Sequence, residues 1–103
     1  MSQVKPKSPK HLRAPTQRWF QAMIEQFEFE SHHLRILQAA CEAWDRCQLC
    51  REAIRREGMT TIDRFGQVRP HPLLATERDS RLAFAKLLKD LHLDSEPSGD
   101  AND

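Results

Sequence analysis

The stretch EGMTTIDRFGQVRPHP, residues 57–72, lies between two segments with helical periodicity and follows the pattern of neither. Its MTTI portion is rich in β-branched residues, and QV follows the glycine-containing turn DRFG, so the stretch predicts a small β-hairpin. Gly66 is expected to take the positive φ that such a turn requires. In RPHP, we expect Arg69 and His71 to be extended before Pro72 opens the next helix. Because a lone two-stranded hairpin is marginal in water, it should pack on a helix or on a neighbouring subunit.

The segment before the hairpin contains two predicted helices. In the first, residues 14–27, Pro15 suits the opening turn, and Thr16 is an alternative cap. Ser31 is predicted to cap a second helix of about 26 residues, which ends where Gly58 supplies a left-handed stop. The first helix carries its apolar side chains at the spacing of one helical face, on Phe20, Met23, Ile24 and Phe27. The second has an apolar stripe of Leu34, Leu37, Cys41 and Trp44, broadened by Ala40, Cys47 and Ile54.

A third helix is predicted from Leu73 to Leu91, with Phe84, Leu87, Leu88 and Leu91 on one stripe. The fold class is therefore mainly α, with three helices and a short β-hairpin between the second and third. The second helix would be about 39 Å long, whereas a compact domain of this size has a radius of gyration near 13 Å. Because the shorter helices cannot cover it, we expect self-association. We assign five apolar residues to the oligomer interface: Leu34, Leu37, Trp44, Phe84 and Leu88.

Composition limits the chain to one small domain, because it has 103 residues, of which 30% are charged and 39% hydrophobic. No apolar run is long enough to span a bilayer, and the N-terminus lacks a signal-peptide core, so an intracellular soluble protein without membrane contact is expected. We predict a flexible basic arm at 1–12, a helical domain at 13–93 and a disordered acidic tail at 94–103.

The positive charges suggest a nucleic-acid-binding surface. Residues 1–18 contain five basic residues and no acid, and the second helix is basic in its C-terminal half. Such a surface can neutralise phosphates, but a basic tail without specific use and a solvated helix end favoured by the helix dipole remain alternatives. The predicted DNA-binding residues are Lys5, Lys7, Lys10, Arg13, Arg18, Arg51 and Arg55.

The order of these motifs resembles the small terminase subunits of tailed phages and prophages over roughly residues 11–93. The resemblance rests on ACEAWDR in the long helix, REGMTTIDRFGQVRPHP, and the closing ERDSRLAFAKLLKDLHL. It implies a non-catalytic protein without cofactors that assembles into a ring, binds double-stranded viral DNA and regulates the ATPase and nuclease of the large terminase subunit. It also implies a location in the cytoplasm of the infected or lysogenic bacterial host. His92 stands where Gly is usual in the family, and we expect it to lengthen the last helix by a turn.

The three cysteines allow a zinc or redox interpretation, since Cys47 and Cys50 form a CxxC motif with Cys41 close before it. However, all three lie on one predicted helix without a second ligand pair, and a redox CxxC normally begins a helix. We therefore favour buried apolar packing and no metal site. Trp19 and Trp44 could stack on bases, but their positions on or beside apolar stripes favour packing.

No catalytic motif is present, because the carboxylates form no two-metal pattern and no phosphate-binding glycine loop occurs. The leading hypothesis is a packaging regulator that binds DNA. A generic oligomeric DNA-binding regulator is the first alternative, and a zinc or redox cysteine protein is the second. A transcription regulator would place a recognition helix after a short turn, whereas the helix that follows FEFES is long and apolar.

Overall fold

A computed structural model describes residues 6–93 and confirms three helices with an antiparallel hairpin between the second and third. The elements are α1 (Ala14–Gln26), α2 (Ser31–Glu57), β1 (Thr60–Ile62), β2 (Val68–Pro70) and α3 (Leu73–Asp90). Within the described residues, no helix is both long and apolar enough to cross a membrane.

Helix α2 is the spine of the fold, and α3 packs antiparallel against it. Helix α2 presents a row of buried small side chains, which lets the two helices approach closely: Ala40, Ala43, Cys47, Cys50 and Ala53. Polar contacts fix the register of the pair. Arg46 donates to the buried Ser80 hydroxyl over 2.9 Å, and Arg51 donates to Glu77 over 2.9 Å.

The main apolar core lies toward the opposite end of α2 from the hairpin. Phe20 and Ile24 of α1 meet Leu37 and Cys41 of α2 there, and Leu91 closes the cluster from the end of α3. Leu12 also belongs to this core and is only 4% exposed, although the sequence assigns it to the flexible arm. The described part of that arm, residues 6–12, is therefore held against the helices at its C-terminal end.

The buried Asp45 carboxylate on α2 holds the start of α1. It accepts hydrogen bonds from the backbone N–H of Arg13, over 2.8 Å, and from the Thr16 hydroxyl. Arg13 is the N-cap residue of α1, and Pro15 lies in its first turn as predicted. The alternative assignment of Thr16 as the cap is wrong, because Thr16 lies inside the helix and points at Asp45.

The start of α2 also differs from the prediction, because Glu30 rather than Ser31 is its N-cap. The Glu30 carboxylate accepts the backbone N–H of His33, while the His33 ring accepts the backbone N–H of Glu30. This reciprocal capping box satisfies two helix-end donors, whereas Ser31 already lies in the helix. The other end is as predicted, with Gly58 at φ 91°.

The hairpin pairs Thr60 with Pro70 and Ile62 with Val68, and its turn is built as predicted around Gly66 at φ 78°. The Asp63 carboxylate organises this turn by accepting the backbone N–H groups of Phe65 and Gln67. These bonds, the one from Gln67 foremost, lower the pKa of Asp63.

His71 joins the hairpin to both long helices and is 4% exposed. Its Nδ1 accepts the backbone N–H of Leu73 at the start of α3, over 3.0 Å. Nε2 must therefore carry the hydrogen, and it donates to Glu57 at the end of α2 over 2.6 Å. This hydrogen bond lowers the pKa of Glu57. From the sequence, only an extended backbone was predicted for His71. That prediction does not include the two hydrogen bonds by which its ring links α2 to α3.

The expectation that His92 lengthens the last helix is wrong. His92 takes φ 61°, its N–H donates to the carbonyl of Lys89, and the next N–H, of Leu93, donates to Leu88. This pair of bonds is a Schellman motif, which ends a helix and normally places Gly at the left-handed position. Histidine tolerates this conformation better than most residues, so the helix stops here without glycine.

Replacing His92 with Gly should stabilise the fold, because it removes a left-handed cost of about 1 kcal/mol that is only partly offset by greater freedom of the unfolded chain. We expect the free energy of unfolding in urea to rise by about 0.5 kcal/mol. His92→Val, a β-branched control, should lower it. A glycine variant less stable than the valine variant would contradict the motif.

Asp45→Ala should lower the free energy of unfolding by about 1–3 kcal/mol, because it leaves the Thr16 hydroxyl and the Arg13 N–H without their acceptor. The matched control is Asp79→Ala, at a side chain that is 71% exposed, which should change stability by less than about 0.5 kcal/mol. Chemical denaturation of both variants checks the prediction, and equal losses would show that Asp45 has no special role.

Candidate nucleic-acid and assembly interfaces

Four of the predicted DNA-binding residues are exposed and form no ion pair within residues 6–93. They are Lys7, Lys10, Arg18 and Arg55. Their charges are therefore available to a phosphate backbone without first breaking an internal contact. Lys5 lies outside the described residues.

Arg13 and Arg51 instead face acidic side chains of the same chain. Arg13 pairs with Glu52 over 2.6 Å, and Arg51 pairs with Glu77 over 2.9 Å. The second contact bridges α2 and α3, and it lowers the pKa of Glu77. Part of the charge of these two arginines is thus compensated locally, and Arg51 has a structural task that the sequence did not indicate.

The segment carrying Lys7 and Lys10 runs along α1. The backbone N–H of Ser8 donates to the side chain of Gln21 over 2.6 Å, and Gln17 donates to the carbonyl of Leu12 over 2.7 Å. Together with the burial of Leu12, these bonds place two basic side chains on a helical scaffold. Ordering them before binding reduces the entropy lost when they contact a partner.

Three of the five predicted interface residues come together on one surface, while two do not. Trp44 and Phe84 stack at a tilt with ring centroids 4.9 Å apart, and Leu88 lies one turn further along α3. Leu34 is half-buried against the core. Leu37 is fully buried within its own chain and offers no surface to another copy in this conformation.

Trp19 of α1 completes this surface, with its ring centroid 6.1 Å from that of Phe84. Two adjoining cavities, of about 270 and 350 Å³, share Trp19 and Phe84 in their walls. We call the combined depression the aromatic groove. It is lined mainly by Pro15, Trp19, Met23, Phe27, Trp44, Phe84, Leu88 and Leu93.

The groove agrees with the packing interpretation of both tryptophans, since each lies against an aromatic neighbour. Pro15 and Leu93 are groove residues that sequence reasoning missed as interface candidates. Pro15 was explained by its helix position alone, and Leu93 follows the predicted helix. Phe27 carried a usable signal, because it lies on the apolar stripe of α1 but at the helix end, beyond the core.

The cysteines are packed as predicted, because all three are free and buried. Burial, with Asp45 and Glu42 nearby, raises the pKa of Cys41 to about 12. Burial and the hydrogen bond to Glu77 likewise raise the pKa of Cys47. Since the thiolate is the nucleophile and metal ligand, these environments disfavour redox chemistry and zinc binding at Cys41 and Cys47.

The Glu77 contacts predict acid sensitivity. Its pKa is lowered below the usual 4.5, first by Arg51, so its contribution to stability is present above 4.5 and is lost as the pH falls through the folded value. Glu77→Gln should therefore cost about 1 kcal/mol at pH 7 and flatten the loss of thermal stability below pH 4.5.

The matched control is Glu28→Gln, at an exposed carboxylate with no ion pair among the described residues. It should leave both the stability at pH 7 and the acid profile nearly unchanged. If the Glu77→Gln profile remained parallel to that of the wild type, another carboxylate would have to account for the acid sensitivity.

Comparison with known proteins identifies the family. A family model described as phage terminase, small subunit, matches residues 17–98, which include most of α1 and all of α2, the hairpin and α3. No curated protein and no solved structure gave a significant match. The match covers most of the chain and agrees with the motifs on which the resemblance rested. On this ground, the chain belongs to the phage terminase small-subunit family.

Proposed function

We propose that this protein is the small terminase subunit of a phage DNA-packaging motor. The observation that carries the proposal is the family match over residues 17–98, which implies viral DNA and a large terminase subunit as partners. In this role it is non-catalytic, forms a homo-oligomeric ring, binds double-stranded DNA and regulates the ATPase and nuclease of the large subunit.

DNA contact is proposed to rest mainly on Lys7, Lys10, Arg18 and Arg55, with Lys5 adding to them. The first four are exposed and form no ion pair among residues 6–93, which supports this assignment because phosphate contacts need side chains that are not already neutralised. Arg13 and Arg51 take part only if DNA competes with Glu52 and Glu77. Contacts of this kind go to the backbone, so they supply affinity and little sequence preference.

The aromatic groove supports the oligomeric part of the proposal. Its walls are mainly apolar, and Trp44, Phe84 and Leu88, which were assigned to the oligomer interface, lie together in it. The shape of the chain points the same way, since its radius of gyration is 17.6 Å where a compact domain of this length has about 13 Å. A ring of copies would cover surface that one chain cannot cover alone.

The salt dependence of DNA binding tests the DNA-contact residues. For the wild type, log K should fall linearly with log salt concentration, with a slope of about 0.9 for each phosphate contact. The combined variant Lys7→Ala, Lys10→Ala, Arg18→Ala, Arg55→Ala should bind more weakly and lose up to about 3.6 from the slope. Fluorescence anisotropy with duplex DNA measures both quantities.

The matched control removes the same charge elsewhere, by replacing Arg35, Arg78, Lys86 and Lys89 with Ala. Each variant loses four cations, so the control has the same net charge as the test variant. All four of its replaced side chains are exposed, and the control should keep the wild-type slope. Equal losses in the two variants would show that net charge alone drives binding. A wild type whose binding ignores salt would contradict a phosphate-based mode.

Regulation of the large subunit separates the packaging role from a generic DNA-binding regulator. Adding the protein to its cognate large subunit should change the DNA-dependent ATPase rate. DNA binding without any such effect, measured over a range of stoichiometries, would favour the generic regulator.

A further inference from the structure

The hairpin presents its apolar side to solvent. In the register of the two strands, the side chains of Ile62 and Val68 lie on the same face as those of Thr60 and Pro70. Ile62 is 71% exposed and Val68 is 68% exposed. Phe65 at the tip is 74% exposed. We call this surface, made of Ile62, Phe65, Val68, Thr60 and Pro70, the hairpin knob.

The less exposed side of β1 is polar. Thr61, on the opposite side of β1 from Ile62, is less exposed than Ile62, although its cross-strand partner Arg69 is exposed. An antiparallel sheet that packs on a core normally turns its apolar face inward and its polar face to water. Exposed apolar side chains gathered in this way commonly belong to a surface that another protein covers.

The aromatic groove is the matching concave surface on the same molecule. One of its cavities, about 270 Å³, is smaller than the range of about 300–1,000 Å³ typical of small-molecule sites, and the other, about 350 Å³, lies near its lower end; both suit a few inserted side chains. The chain does not fill its own groove, because Phe65 remains exposed. Trp44 also lies about 20 Å along α2 from Glu57, the last residue of the helix before the hairpin.

Unpaired charges flank the two surfaces with opposite signs. Arg64 lies over the Phe65 ring at 5.1 Å and forms no ion pair among the described residues. Glu28, which follows Phe27 at one end of the groove, is exposed and has no ion-pair partner among residues 6–93. A knob seated in the groove would bring a basic side chain to this carboxylate.

We propose that the hairpin knob of one copy docks into the aromatic groove of the next copy, with Arg64 facing Glu28. This inference rests on the homo-oligomer of the proposed function and names its interface. The contact joins two different surfaces of identical chains, so it is heterologous and can be repeated around a closed ring. It also gives the isolated hairpin the packing partner that two strands need.

A second copy fits the knob better than DNA does. The knob is mainly apolar, and one of its two nearby arginines, Arg69, is already paired with Asp63 over 3.0 Å. Phosphate recognition would require several unpaired cations at the tip. DNA contact by the hairpin remains an outcome of the experiment, detectable as lost affinity without lost assembly.

Charge reversal tests the interface. In native mass spectrometry of the full chain, Arg64→Glu should raise the dissociation constant of the assembly at least tenfold, as should Glu28→Arg. Combining the two changes should restore assembly, because the charges are exchanged across the contact. Arg78→Glu, an exposed reversal on α3, is the matched control and should assemble normally.

Cysteine pairing gives a second measurement, which reports contact between two copies directly. Phe65→Cys mixed with Met23→Cys should form disulfide-linked dimers under mild oxidation, while Phe65→Cys alone should not. The native cysteines are buried and should stay unlinked.

The outcomes separate this inference from the proposed function. If the wild type assembles and binds DNA, but the Arg64→Glu variant assembles equally well and the cysteine pair gives no cross-link, the proposed interface is wrong. The packaging role is unaffected by that result. A monomeric wild type overturns the interface, and if it also fails to bind DNA the packaging role falls with it. Variants that assemble fully but lose DNA affinity overturn the interface in favour of DNA contact by the hairpin.

Discussion

The length of α2 is the constraint on which the structure depends. At 27 residues it extends about 40 Å, while α1 has 13 residues and α3 has 18. Helix α3 packs along it through the row of small side chains, and α1 is pinned near its middle by Asp45. Surface remains uncovered beyond these contacts, and both the aromatic groove and the hairpin knob lie in that remainder.

Polar contacts between elements hold this elongated arrangement where the apolar core is small. Asp45 positions α1, Glu77 joins α2 to α3, and His71 connects the end of α2 to the start of α3. Each of these groups is paired, which is the condition for keeping a polar side chain in or near a core. Charged side chains that form these internal contacts are less available to DNA. Arg51, which pairs with Glu77, is an example.

The packaging role proposed for this chain divides its surface by chemistry. The unpaired basic side chains suit a polyanion, whereas the aromatic groove and hairpin knob suit another protein surface. Because assembly and DNA binding then use different residues, the two activities can be separated by substitution. The three cysteines are buried, and burial raises the pKa of Cys41 and Cys47, which disfavours thiolate chemistry at those two positions.

Much of the fold could be predicted from the sequence, because helix periodicity, Gly58 and Gly66 are local signals that act on their own neighbours. The three helices and the hairpin followed from them, whereas the family came from the resemblance of three longer motifs. Capping was predicted less well. Ser31 is a residue type that favours the N-cap position, but Glu30 is the N-cap of α2 because it forms the reciprocal capping box with His33. At the end of α3, His92 takes a left-handed conformation in which glycine is the usual residue.

The sequence alone was enough to predict the elements, their order and the position of each charge along the chain, because periodicity and turn signals depend on residues close together. Only the tertiary structure decided which charges are already paired, that Leu37 is internal, and that Trp19, Trp44 and Phe84 form one groove. It also decided that the apolar face of the hairpin points away from its own core. These properties depend on how distant segments pack, and neither periodicity nor composition specifies that packing.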